Sequence, residues 1–232
     1  MDKRKKELIS NIINEYVKTA NPVGSKLLAE KYHPDLSSAT IRNEMKVLEK
    51  EDYLTHPHTS AGRIPTIKCY QFYIDNFLKE QSISTKDRTA INQAISKFKK
   101  AEPEMVKVIA KKMADLSQET VFAAFSPSDF FYTGISNLFR QPEFSELKLI
   151  YNISEIIDHM DEVSGELFKK VKDQEILLGK RNPFGDFCTA IITRYRQKSQ
   201  EGILGILGPL RMDYQRNHSL INYANQLLNN KS

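Results

Sequence analysis

Leu8, Ile9, Ile12, Ile13, Tyr16 and Val17 recur at three- and four-residue steps, which predicts an amphipathic helix over residues 3–19. Asn21-Pro22-Val23-Gly24 breaks the pattern, and Ser25 is suited to cap a short second helix ending near residue 32. After a His33-Pro34-Asp35 turn, Ser37 or Ser38 can cap a third helix running to about residue 50, with Ile41, Met45 and Leu48 turned inward. Residues 53–56 read as a strand, Thr59-Ser60-Ala61-Gly62 as a flexible tip, and Arg63-Ile64-Pro65 as a short return strand. Thr66 can cap a fourth helix rich in Tyr70, Tyr73, Ile74, Phe77 and Leu78. Three helices, a β-hairpin and a helix, in that order, predict a winged helix-turn-helix module.

The pattern turns polar over residues 79–88, which reads as a linker. Residues 88–117 predict one long helix whose thin stripe of Ile91, Ile95, Phe98, Met105, Val106, Ile109 and Met113 can pack on the chain's own domain or on a partner. Strands are expected over residues 120–125, 130–133, 175–178, 187–195 and 203–207, and helices over 147–167 and 213–229. This half reads as α+β with an antiparallel sheet. The expected division is a winged helix-turn-helix over residues 1–80, a linker and long helix over 81–118, and the α+β domain over 119–232.

Composition narrows the classes. With 232 residues, 40% hydrophobic and 27% charged, the chain has an ordinary globular make-up. No apolar run approaches the roughly 20 residues of a membrane span; the longest, residues 202–210, is broken by Gly and Pro. The basic start is followed by mixed polar and apolar residues, so no signal peptide is expected and the cytoplasm is the expected compartment. Cys69 and Cys188 form no CxxC pair, which argues against a zinc finger or a disulfide framework. A net charge of +5 permits a nucleic-acid partner without requiring one.

The third helix carries the candidate chemistry. Opposite Ile41, Met45 and Leu48 lie Ala39, Asn43, Lys46 and Lys50, with Arg42 on the flank. Asn can bond adenine bidentately, Arg can bond guanine, and Ala can touch a thymine methyl. Ser38 and Thr40 at the start of that helix, with Ser25 and Lys26 of the second, supply hydroxyl, amide and ammonium donors for phosphates. The hairpin adds His58, Thr59, Ser60 and Arg63, which can lie along a phosphate backbone or enter a minor groove. A solvated helix face and a plain surface turn would show the same residues.

Other signals point to structure. His56 and His58 share a strand face but have no further metal ligands nearby. Asp52, His58 and Ser60 lie too close on one hairpin to form an oriented triad. Gly202, Gly205 and Gly208 are spaced for close strand packing rather than as a phosphate loop. Arg211 and Asp213 are suited to pair or to cap the last helix, and Tyr70, Tyr73 and Phe77 to form core. No metal, cofactor or enzymatic activity is expected.

Asn21-Pro22-Val23-Gly24-Ser25-Lys26, residues 36–45, Leu48-Glu49 and residues 57–66 together resemble the HrcA family of bacterial heat-inducible transcription repressors. Gln141-Pro142-Glu143-Phe144 and residues 202–214 resemble that family's later motifs, so the resemblance covers both halves. It implies an N-terminal winged helix-turn-helix, a GAF-like domain and a dimerising domain inserted in the latter. It also implies an inverted-repeat operator upstream of chaperone genes, a homodimer, and help from the chaperonin GroEL in keeping the repressor active. Here residues 120–127 pass almost directly to 132–138, so a reduced GAF-like domain without the inserted region is expected. Cys69 and Gln71 stand where the family usually has Gly and Arg, Leu210 stands for a usual Thr, and Lys180-Arg181-Asn182 departs from a usual Glu-Asn pattern. The function expected is sequence-specific repression of chaperone genes. The other reading is a GAF-like small-molecule sensor with a DNA-binding output.

Overall fold

The Asp2 carboxylate accepts the Lys5 amide and opens α1 (Lys3–Thr19), which ends at Ala20 in the left-handed conformation. The computed structural model describes residues 1–57, 62–99, 102–145, 154, 158–197 and 200–230. They form two compact units, Met1–Lys79 and Glu80–Ser232.

In the first unit α2 (Ser25–Tyr32) begins one residue earlier than Ser25 capping would require. Gly24 is the last extended residue, its carbonyl takes the Leu28 amide, and Ser25 is the first helical residue, buried and without a capping bond. Ser37 caps α3 (Ser38–Lys50), its hydroxyl accepting the Thr40 amide at 3.1 Å. The hairpin is shorter than the sequence pattern suggests: β1 (Leu54–Thr55) pairs antiparallel with β2 (Ile64–Pro65) through Leu54↔Pro65 and Thr55↔Ile64. Thr66 caps α4 (Ile67–Phe77).

Leu8, Ile9, Ile12 and Ile13 of α1, Leu28 of α2, and Ile41, Met45 and Leu48 of α3 are buried together with Leu54, Cys69 and Tyr70. Tyr73 and Phe77 are half-buried and stacked at 5.6 Å. The Glu15 carboxylate of α1 accepts Lys31 Nζ at 2.6 Å and the Tyr32 hydroxyl, tying α1 to α2. Those two partners outweigh its burial and hold the carboxyl below the usual range. These elements form a winged helix-turn-helix.

The single helix expected over residues 88–117 is two. Ser84 caps α5 (Thr85–Ala94), which ends at Ile95, and the Ser96 hydroxyl returns to the Gln93 carbonyl. Pro103 then takes the first position of α6 (Pro103–Ser117), where its missing N–H costs nothing; inside a continuous helix it would remove a bond and clash with the preceding turn. Ile91, Ile95, Met105, Val106, Ile109 and Met113 are buried, so the stripe is spent on the chain's own unit.

The sheet of this unit comprises β3 (Thr120–Ser126), β4 (Asp129–Thr133), β5 (Gln174–Leu178), β6 (Cys188–Gln197) and β7 (Gln200–Pro209). Their order is β4-β3-β7-β6-β5, every neighbour antiparallel. On one face Phe122, Ala190, Ile192, Ile203 and Leu207 meet Leu138 of α7 (Ile135–Phe139) and Met160, Val163 and Leu167 of α8 (Met160–Lys170). Val121, Ala123, Ile191, Leu204 and Ile206 alternate onto the other face, where α6 and α9 (Tyr214–Asn230) pack on β3 and β6. A Cβ at Gly205 would sit 2.3 Å from the Phe122 ring, and one at Gly202 2.2 Å from the Tyr195 hydroxyl, so these glycines admit neighbouring aromatics. Of the helix expected over 147–167, residues 147–153 and 155–157 lie outside the described residues, and α8 occupies its later part. The sequence pattern missed α7 and the short turns Pro142–Ser145 and Gly179–Arg181, which are too brief to show a period. No helix among the described residues is long and apolar enough to cross a membrane.

Candidate nucleic-acid interface

α3 presents Ser38, Ala39, Arg42, Asn43 and Lys46 to solvent, while Ile41, Met45 and Leu48 lock its other side into the core. The face that can read bases is therefore set by the face that packs. Thr40 is half-buried, its hydroxyl 2.9 Å from that of Ser37 within the cap. Lys26 is exposed on α2, which packs on α3, and lies 3.9 Å from Glu30. Ser25 is buried at the root of α2. His58, Thr59 and Ser60 lie outside the described residues.

At the base of the wing, Val23 and Arg63 exchange both backbone hydrogen bonds, at 2.8 and 2.9 Å, joining the hairpin to the turn between α1 and α2. Gly62 passes so close that a Cβ there would lie 2.6 Å from the Val23 carbonyl carbon and oxygen. Because the obstacle is backbone, Gly62→Val is expected to push the wing off the turn and to cost about 1–3 kcal/mol of overpacking. Thermal unfolding and DNA titration on one preparation check this. The Arg63 side chain is turned inward, donating from Nε to Glu49 Oε2 at 3.0 Å, while His56 Nδ1 donates to Glu49 Oε1. Burial pushes the Glu49 carboxyl up, but His56 and Arg63 outweigh it and hold it below the usual range. At the level of sequence Glu49 belongs to the Leu48-Glu49 motif and was given no role at the site. Its signal was a carboxylate in a stretch otherwise read for bases and phosphates.

The second unit brings two distant segments together. Arg211, just beyond β7, pairs through Nε with Glu143 and donates from a terminal nitrogen to Gln141 Oε1 at 2.7 Å and Glu143 Oε2 at 3.2 Å. Asp213 accepts the Arg216 amide and caps α9. Beside them the Glu119 carboxyl is buried, and its Oε2 has no hydrogen-bond partner among the described residues. Cys69 and Cys188 are free and buried, and burial raises the Cys69 thiol to about 12, which leaves it unreactive. Gln71, where the resemblance has Arg, bonds Asp75 one turn along α4.

A family model for the HrcA protein C terminal domain matches residues 66–217. The chain belongs to the HrcA family. Three curated relatives are each named "Heat-inducible transcription repressor HrcA". The protein of Acetivibrio thermocellus is 41% identical over 53% of this chain, and that of Caldanaerobacter subterraneus subsp. tengcongensis 45% identical over 53%; each alignment spans 35% of the relative's own length. The protein of Thermoanaerobacter pseudethanolicus is 27% identical, with 99% of this chain and 96% of the relative covered. Its 331 aligned positions outnumber the 232 residues here, so that HrcA protein carries internal residues without a counterpart in this chain. A crystal structure described only as that of a hypothetical protein superposes with a TM-score of 0.77 at 19% identity, covering 100% of both chains, and so shares the fold. The second unit is accordingly the GAF-like α+β domain of an HrcA protein, with an antiparallel sheet.

Proposed function

We propose that this chain is a sequence-specific DNA-binding repressor of heat-shock chaperone genes, acting in the cytoplasm as a homodimer on an inverted-repeat operator. The observation that carries the reading is α3: a helix whose apolar side is fully locked in place and whose exposed side offers Ala39, Arg42, Asn43 and Lys46 at groove-reading spacing. Ser38, Thr40 and Lys26 offer donors to the DNA backbone around it, and His58, Thr59, Ser60 and Arg63 are the further backbone contacts that the sequence suggests. The names of the HrcA relatives support the same reading, and from the family resemblance we take GroEL as the partner that maintains activity. No catalytic role is assigned to any residue.

Footprinting on the organism's own chaperone promoters tests target and function together. Asn43→Ala is expected to cost about 1–3 kcal/mol on operator and much less on random DNA, because a bidentate base contact discriminates and a phosphate contact does not. Equal losses on both would reduce Asn43 to a positioning role.

One helix reads only a few base pairs, so two protomers are required on a two-fold operator. Sedimentation with a full operator duplex is expected to show two chains per duplex; one chain at saturation would sink the dimer. Most of the α5–α6 stripe is buried within its own unit, with Phe98 half-buried, which leaves the rest of the GAF-like unit as the stronger candidate for the dimer contact.

One observation favours the second reading, a small-molecule sensor. In the GAF-like unit a cavity of about 470 Å³ is lined by Glu80, Gln81, Arg88, Asn222, Tyr223 and Gln226, with Arg88 over the Tyr223 ring. Its lining suits a small polar ligand. Gel shifts with and without metabolite extract separate the two readings.

A further inference from the structure

The hairpin formed by β1 and β2 has only two residue pairs, too few to hold its own angle to the rest of the module. Leu54 and Pro65 bury its base against the helices, and beyond that base its direction relative to α3 needs a further contact. The Val23 bridge fixes the returning arm to the turn before α2, and Thr66 ties the base of the hairpin to the Asp52 and Tyr53 carbonyls. Glu49, the next-to-last residue of α3, reaches both arms. Its Oε1 accepts from His56, the residue after β1. Its Oε2 accepts from Arg63, the residue before β2, through Nε at 3.0 Å and with a terminal nitrogen at 2.9 Å. Both arms thus converge on one half-buried carboxylate carried by the recognition helix itself.

We propose that Glu49 is a positioning residue that fixes the angle between the DNA wing and the recognition helix by clamping His56 and Arg63. The inference rests on the DNA-binding reading above. A carboxylate near DNA is ordinarily unfavourable, because it repels phosphate. Here Arg63 neutralises it, and the guanidinium, planar and two-pronged, supplies a direction as well as a charge. Arg63 then contributes to binding mainly by holding the wing in place rather than by lending its charge to a phosphate. The two roles make opposite predictions for removal of the Glu49 charge. If Glu49 clamps, losing it loosens the wing and weakens operator binding. If Glu49 merely competes with phosphate, losing it frees Arg63 and strengthens binding.

The test uses the full chain, an operator duplex and a random duplex of equal length, titrated across a salt series, with thermal melting of each variant. Glu49→Gln is expected to lose about tenfold in operator affinity, within the range of couplings between contacting residues, with an unchanged salt slope. Adding Arg63→Gln to Glu49→Gln lets two neutral amides pair across the same gap and is expected to recover affinity toward wild type. Glu49→Asp, one methylene shorter and still charged, cannot reach both arms and is expected to fall with Glu49→Gln; it decides the matter should Glu49→Gln melt early. Unchanged or tighter binding by Glu49→Gln with a salt slope steeper by about one contact would overturn the clamp, as would a double variant weaker than either single one. Wild-type protein that prefers the operator while these variants do not differ from it overturns this proposal alone. Wild-type protein with no operator preference overturns the DNA-binding reading and the clamp with it.

Discussion

Stability of the GAF-like unit is expected to fall as pH rises from about 4.5 to about 8, and Glu119→Gln is expected to remove that fall. Burial pushes the Glu119 carboxyl up to about 8, with Glu143 and Asp213 adding to the rise and Arg211 opposing it. The unfolded chain releases this proton near the ordinary value of 4.5, while the folded chain holds it. Between those limits the folded state binds more protons, so stability declines by up to about 1.4 kcal/mol per pH unit. The contribution is whole below 4.5, lost by about 8 and flat beyond. Integrated, the loss is at most about 5 kcal/mol. Glutamine keeps the shape of the neutral acid without the ionisation. Chemical denaturation at pH 5 and pH 8 reads the effect as the difference between variant and wild type. Parallel slopes in the two proteins would show that Glu119 ionises normally in the folded state.

Arg211→Ala is expected to destabilise the same unit by about 2–4 kcal/mol. The guanidinium, 12% exposed, is the shared donor for Gln141 and Glu143, and removing it strands a carboxylate 29% exposed beside the buried Glu119. Breaking a fully buried pair costs about 3–5 kcal/mol, and the remaining exposure of Glu143 lowers that figure. Loss of the positive charge also pushes Glu119 further up, so the pH dependence above should extend to higher pH. Arg211→Met combined with Glu143→Leu replaces the pair by apolar volume and is expected to recover much of the loss. A double variant as unstable as Arg211→Ala would mean that the guanidinium acts through packing rather than charge.

The sequence by itself determined the elements of the winged helix-turn-helix. Its apolar positions recur at a clean helical period, Ser37 and Thr66 cap where capping chemistry requires, and the inward Ile41, Met45 and Leu48 dictate the outward Asn43 and Arg42. These are local signals, carried within one or two turns of chain. Motif resemblance reached the family for the same reason, since the strings around residues 36–45 and 57–66 are contiguous.

Local signals failed where two local tendencies competed. The stripe from Ile91 to Met113 has one helical period, yet Pro103 starts a new helix because a prolyl ring cannot sit inside the old one. Ser25 has good capping chemistry, but Gly24 takes that position and the core takes Ser25. Only the tertiary structure decided what meets across long stretches of sequence. Arg211 pairs with residues about seventy positions earlier, Glu119 loses its solvent to the strands and turns closing over it, and Arg63 turns from solvent to Glu49. A side chain's charge is written in the sequence. Its burial and its partner depend on the packing of elements distant along the chain, and it is burial and partner that set what the charge does.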